Sequence, residues 1–265
     1  METYLMLLVM IILLGLWYVL GKKRRATPEM HNVDRYRALL AAHVGFYGNL
    51  NGAEQDRFMN ETVRFLDRVT IEGVGTTVED IDRVFVAASA IIPIFAFSGW
   101  SYPHLTNVIL YPDTFNREFA FEGQDRNTLG MVGDGFMNGQ MILSKKSLRA
   151  GFKNQQDRRN TGIHEFVHLL DKSDGSVDGI PEALLQQSYV LPWLKAMHTE
   201  LKRIAQGKSD IDPYALTDEA EFFAVVSEYF FENPERMKER HATLYELLSQ
   251  MFTPSGQLPP EQEDL

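Results

Sequence analysis

Eleven consecutive residues, Thr161-Gly162-Ile163-His164-Glu165-Phe166-Val167-His168-Leu169-Leu170-Asp171, constrain this chain more than any other stretch. His164 and His168 lie four residues apart, so on a helix their rings leave one face a turn apart and can share one metal ion. Glu165 follows the first histidine and can reach a water on that metal. The arrangement is the HExxH pattern of a zinc hydrolase. Asn160 or Thr161 offers an N-cap, and Ile163, Phe166, Val167, Leu169 and Leu170 give the segment enough apolar surface to be buried, as a preorganised metal site requires. The bland alternative is a pair of satisfied core histidines on an ordinary helix.

With 265 residues, 45% of them hydrophobic, the chain can build one sizeable domain or two small ones. It has no cysteine. Disulfides, thiolate ligands and a cysteine nucleophile are therefore excluded, leaving His, Asp and Glu as metal ligands.

Tyr4 to Leu20 is a run of 17 uncharged residues, followed by Gly21 and the basic cluster Lys22-Lys23-Arg24-Arg25. As a helix it would span about 26 Å, enough for a bilayer with snorkelling lysines and interfacial Tyr4, Trp17 and Tyr18. A cleaved signal peptide would carry its charge before the apolar run, so the reading is one transmembrane helix. The positive-inside rule then places the remaining chain in the cytoplasm, and the expected location is the inner membrane of a bacterial-type cell. The rival is a short apolar segment lying in the interface. Lys22, Lys23, Arg24 and Arg25 against Glu2 give the first 25 residues +3, so the rest carries −13 of the net −10. A domain that acidic is repelled by nucleic acid, which makes it a poor partner.

The expected organisation is an anchor over 1–21, a basic linker over 22–33, one domain over 34–253 and an acidic Pro-rich tail over 254–265. Helical spacing is read from Asp34 to Phe46 and from Ala53 to Val69, with Phe58, Met59, Phe65, Leu66 and Val69 buried. A capping-box pattern at Thr77-Val78-Glu79-Asp80 opens a third helix that Pro93 ends. Ile71 to Thr76 reads as a strand or turn, and Asn107 to Tyr111 as a strand. A Gly- and Asn-rich loop over Glu122 to Gly139 leads into a strand at Gln140-Met141-Ile142-Leu143-Ser144. This last strand precedes the HExxH helix, and Gln140, Met141, Ile142 and Leu143 are candidates for pairing with an extended peptide substrate. A strand with no substrate role fits the periodicity equally well.

Asp171, Asp174 and Asp178 do not have EF-hand spacing, so a turn is preferred to a calcium loop. Asp171 sits one turn beyond His168, where it could accept from a ligand imidazole or simply be solvated at the helix end. His31, His43, His104, His198 and His241 have no partner at ligand spacing and are taken as ordinary surface or core residues.

A catalytic zinc takes three protein ligands and keeps a fourth position open. The third is sought in the apolar helix around Glu219-Ala220-Glu221-Phe222-Phe223-Ala224-Val225-Val226-Ser227-Glu228. Glu221 and Glu228 share a stripe at the margin of its apolar face, and Glu219 faces elsewhere. Spacing does not choose among the three, and a capping box of Asp218 and Glu221 with a solvated Glu228 is also open.

The chain resembles the Mlc titration factor A (MtfA) family of zinc peptidases. The likeness is carried by Ile92-Pro93-Ile94-Phe95, Ile109-Leu110-Tyr111-Pro112, Asn160 through Asp171, Asp178-Gly179-Ile180-Pro181, Tyr214-Ala215, Glu221 through Phe231, and Leu244-Tyr245. The resemblance implies a gluzincin-type site with Zn²⁺ on His164, His168 and Glu221. It further implies that Tyr214, seven residues before Glu221, faces the site. The expectations are an α+β fold, mainly helical with a small β-sheet, and a zinc peptidase with Glu165 as general base and Tyr214 as an oxyanion donor. Its partner is a peptide or protein substrate, with aminopeptidase and endopeptidase both open. The rival function is a membrane-tethered regulatory protein that sequesters a partner such as a transcriptional repressor.

Overall fold

The computed structural model of the chain describes residues 33–97, 99–115, 128–132, 139–154, 158–181, 184 and 187–253. In chain order these form α1 (Val33–His43), the single turn α2 (Gly45–Gly48), α3 (Gly52–Arg68), β1 (Thr70–Gly73), α4 (Asp80–Ile91), β2 (Asn107–Tyr111), β3 (Gly130–Val132) and β4 (Gln140–Ser144). There follow α5 (Lys145–Lys153), α6 (Thr161–Asp171), α7 (Gln187–Ala205), α8 (Glu219–Glu232), α9 (Pro234–Arg240) and α10 (Ala242–Phe252). The result is the expected α+β architecture, dominated by helices around one small mixed sheet.

Local chemistry sets the helix ends. Asn51 caps α3 in a reciprocal box with Glu54. The box that opens α4 sits two residues later than the sequence pattern suggested: Asp82 accepts from the Glu79 N–H at 2.8 Å. Asp82 makes the better partner because it is also buried against Arg149 of α5 and Lys145, at 2.6 and 3.3 Å, so tertiary ion pairing selects the register. At the other end of α4, Pro93 converts the chain to a 3₁₀ turn over Ile92–Ile94.

The sheet order is β1-β2-β4-β3, with β1, β2 and β4 parallel and β3 antiparallel to β4. The substrate-pairing expectation for β4 meets an obstacle here. Met141, Ile142 and Leu143 pair with Val108, Ile109 and Leu110 on one side and with Val132, Met131 and Gly130 on the other. A strand hydrogen-bonded on both sides has no backbone groups left for a peptide, and all three side chains are buried. Gln140 starts the same strand, pairing with Asn107. The strand at this edge of the sheet is β3, three residues inside the stretch read as a Gly-rich loop and too short to show a period.

Helix α6 packs most extensively on α8 and also touches α4, α5, β3 and β4. Gly162 allows the approach to α4, since a Cβ there would lie 2.1 Å from Ser89 Oγ. The two helices that supply the site are thus held by the main core, in which Phe166, Val167, Phe222, Phe223 and Val226 are fully buried.

The expectation of a single-pass membrane protein on the inner membrane is corrected. Among the described residues no helix is long and apolar enough to cross a membrane. The longest, α7, has 19 residues, but only one stripe of it is apolar: Trp193, Met197 and Ile204 enter the core while Lys195, Lys202 and Arg203 stay outside. The Tyr4–Leu20 run, the basic cluster and the tail beyond Thr253 lie outside the described residues.

Candidate metal centre

Asn160 caps α6 by accepting the Ile163 N–H at 3.1 Å, which starts the helix in the register that turns both histidines toward α8. The Nε2 atoms of His164 and His168 are 3.1 Å apart. Glu221, in the first turn of α8, sends Oε2 to 2.9 Å from His164 Nε2 and 3.5 Å from His168 Nε2. These three are the one group among the described residues whose side chains could hold a metal ion.

The donor set fits a metal on two grounds. Tetrahedral coordination with bonds of roughly 2.0–2.1 Å separates its ligand atoms by about 3.3 Å. The observed 3.1, 2.9 and 3.5 Å bracket that value. Second, Glu221 Oε2 is buried and receives no hydrogen bond of acceptable direction, although an imidazole nitrogen lies 2.9 Å away. Two imidazole nitrogens and a carboxylate oxygen that converge on one point form a cation site.

Glu228, two turns further along α8, accepts from the buried Asn160 N–H and meets His164 Nδ1 at 2.7 Å. This carboxylate fixes the ring and the tautomer that leaves Nε2 facing Glu221. The sequence reading left Glu228 between solvation and ligation; the usable signal was its seven-residue spacing from Glu221, which puts both on one face. Asp171 does different work: it is buried and accepts the Gly179 N–H at 2.9 Å, while Trp193 Nε1 donates to the Gly179 carbonyl at 2.7 Å. The 178–181 loop is thereby pinned beside the start of α8. Glu219 is exposed.

Glu165 is buried, and Gly130 of β3 lies directly against it. A Cβ at position 130 would fall 2.5 Å from Glu165 Cγ and Oε1. Tyr214, on a 3₁₀ turn over Pro213–Leu216, reaches the rim with its hydroxyl 3.4 Å from Glu221 Oε1 and its ring centroid 6.0 Å from that of His164. That turn is anchored to the start of α6, because Asp212 accepts the Tyr214 N–H and pairs with Arg159 at 2.6 Å.

Electrostatics follow the packing. Burial works against charge on His164, but the carboxylates of Glu228 and Glu221 outweigh it and raise the pKa well above the usual imidazole value. Glu221 shows the reverse balance: burial would raise it, and the two histidines hold it well below the carboxylate range. Desolvation raises Glu165, against the pull of His164 and His168. Burial and the neighbouring Glu221 push Tyr214 up to about 12, so its hydroxyl keeps its proton at neutral pH.

A helical core, a small mixed sheet, and two helices converging His, His and Glu beside a buried carboxylate define a metallopeptidase-type protein. The model of the family described as glucose-regulated metallo-peptidase M90 matches residues 20–253, and the chain belongs to that family. It is similar to the Mlc titration factor A of Escherichia fergusonii, 27% identical over 254 residues that cover 89% of this chain and 91% of the relative. The Mlc titration factor A of Serratia proteamaculans is 25% identical, covering 85% and 88% respectively. An uncharacterized protein of Synechocystis sp. is 28% identical over 230 residues, 82% of each chain. Membership implies a metal ion, and the donors at the α6–α8 junction are where these residues fit one.

Proposed function

We propose that this chain is a zinc-dependent peptidase with His164, His168 and Glu221 as ligands, Glu165 as general base and Tyr214 as oxyanion donor. The observation that carries the reading is the triangle of His164 Nε2, His168 Nε2 and Glu221 Oε2, with an unused carboxylate, Glu165, buried beside it. Zinc, when bound, supplies Lewis-acid chemistry that acidifies a water and polarises a carbonyl. Glu165 takes the proton of the attacking water and returns it to the leaving amine. Its upward-shifted pKa brings it closer to the operating pH, where such a shuttle is most effective. Tyr214 remains protonated and donates to the oxygen that gains charge. Glu228 acts through His164 by holding its orientation.

The strand that serves an extended peptide is β3, which ends the sheet and lies on Glu165 through Gly130. The described residues offer three protein donors to the metal, which leaves a position open for chemistry; a purely structural site would want four.

The decisive test is Glu165→Gln. The variant should keep about one zinc per chain by atomic emission while kcat on a chelator-sensitive peptide substrate falls by at least about 10³-fold. Undiminished turnover with zinc bound would remove Glu165 from the reaction.

A further inference from the structure

A cavity of about 700 Å³ opens between the 99–105 loop and the C-terminal end of α6. We propose that it is the subsite that takes a large apolar side chain of the substrate, two to three residues from the bond cut. This rests on the peptidase reading above.

Two separate elements lead from Glu165 to this cavity. Along α6, Leu169 stands four residues after Glu165 on the same stripe, about 6 Å further down the helix, and lines the cavity. Along the sheet, Gly130 abuts Glu165 and pairs with Leu143, and Gln140, three residues and about 10 Å along β4 from Leu143, lines the same cavity. Helix and strand thus lead, over about 6 to 10 Å, from the general base to the same space. An extended peptide laid along β3 covers that distance in two to three residues and puts a side chain there.

The apolar part of the wall, Trp100, Tyr102, Pro103, Leu105 and Leu169, is already fixed. Tyr102 turns its hydroxyl away to the Ala90 carbonyl at 2.8 Å and packs its ring 5.1 Å from that of Phe166, behind the metal helix. Trp100 rests on Phe97 at 6.0 Å, and Leu105 is buried. A site that needs no ordering before it receives a phenyl or leucyl group loses little of the burial gain.

The test uses the full zinc-loaded chain and internally quenched peptides in which one Phe is moved stepwise through an alanine-rich background, with cut sites located by mass spectrometry. We expect kcat/KM to rise roughly 10- to 100-fold when Phe stands at one position two to three residues from the cut, and at no other. Ser101→Phe fills the cavity from the loop side and should reduce that preference to about 2-fold or less. The all-alanine peptide should still be cut at a rate within about 2-fold of the parent. Ser173→Trp, on the exposed turn after α6, fills it from the opposite wall and should act likewise, so a folding defect at one position does not decide the outcome. A Phe preference that survives both variants, or no position at which Phe helps, overturns the subsite while the peptidase stands. No chelator-sensitive cleavage of any peptide overturns both.

Discussion

Two histidine–carboxylate clusters flank α8, and they are built to opposite ends. In one, His164 sits between Glu228 on Nδ1 and Glu221 near Nε2. In the other, His241, at the start of α10, has Glu200 of α7 3.2 Å from Nδ1 and Asp210 2.7 Å from Nε2. From one ring outward the two look alike. They differ in what completes them. Asp210 also receives Arg236 at 2.8 Å, Arg158 at 3.3 Å and the hydroxyl of Tyr229 at 3.2 Å, so its lone pairs are taken by protein groups. Among the described residues no arginine pairs with Glu221; a second imidazole, His168, stands near it, and Oε2 is left without a well-directed donor. A cluster neutralised by guanidinium groups is a clamp joining α7, α8, α9 and α10, whereas one that leaves converging lone pairs calls for a cation.

The comparison breaks most visibly at His168. His168→Ala should lower peptide hydrolysis by more than about 10³-fold and abolish stoichiometric zinc, while the urea midpoint of the metal-free protein moves little. His241→Gln should do the converse. Removing a buried imidazole held between two carboxylates should cost about 3 kcal/mol of unfolding free energy, read from urea titration of the metal-free chain, with zinc affinity unchanged. If His241→Gln released zinc instead, the two clusters would not be separate in function.

A smaller effect is expected at the residue that makes the metal cluster resemble the clamp. Glu228→Gln keeps an acceptor for the Asn160 N–H but loses the charge on His164 Nδ1, and should weaken zinc binding by roughly 10- to 100-fold in chelator competition. An unchanged affinity would reduce Glu228 to a link between α6 and α8.

The smallest test uses pH. Burial disfavours the charge on both groups of the clamp, but ion pairing prevails: His241 is raised, and Asp210 is lowered to about 2 by His241 and Arg236. The raised His241 contributes stability that is complete below its unfolded value of about 6.5 and fades as pH climbs through its folded value. The depressed Asp210 contributes above its unfolded value of about 3.9 and loses that as pH falls toward 2. The stability gap between wild type and His241→Gln should therefore be widest between about pH 4 and 6.5, shrinking by on the order of 1 kcal/mol toward pH 3. A gap flat from pH 3 to 6 would mean that the pairing adds nothing to the packing of the ring.

Much of the site was legible in the chain because it lies within one helical turn. The HExxH spacing, the Asn160 cap and the apolar face of 161–171 are local facts, and the helix forms over those residues. Strands Asn107–Tyr111 and Gln140–Ser144 were equally readable from their β-branched and apolar runs. Glu221, by contrast, entered through family resemblance. Periodicity left Glu219, Glu221 and Glu228 open, since a stripe on a helix does not say which neighbour it meets.

What the sequence determined by itself was the pair of histidines, their helix and the buried carboxylate between them, since a period of 3.6 residues leaves side chains four apart no other relation. The tertiary structure decided the rest. It turned Glu221 toward both rings and gave His164 its partner from 64 residues away. It laid the short strand β3 rather than β4 along Glu165, and it closed His241 inside a second ionic cluster. Those choices depend on which faces the core brings together, and the packing of α6 against α8 makes them.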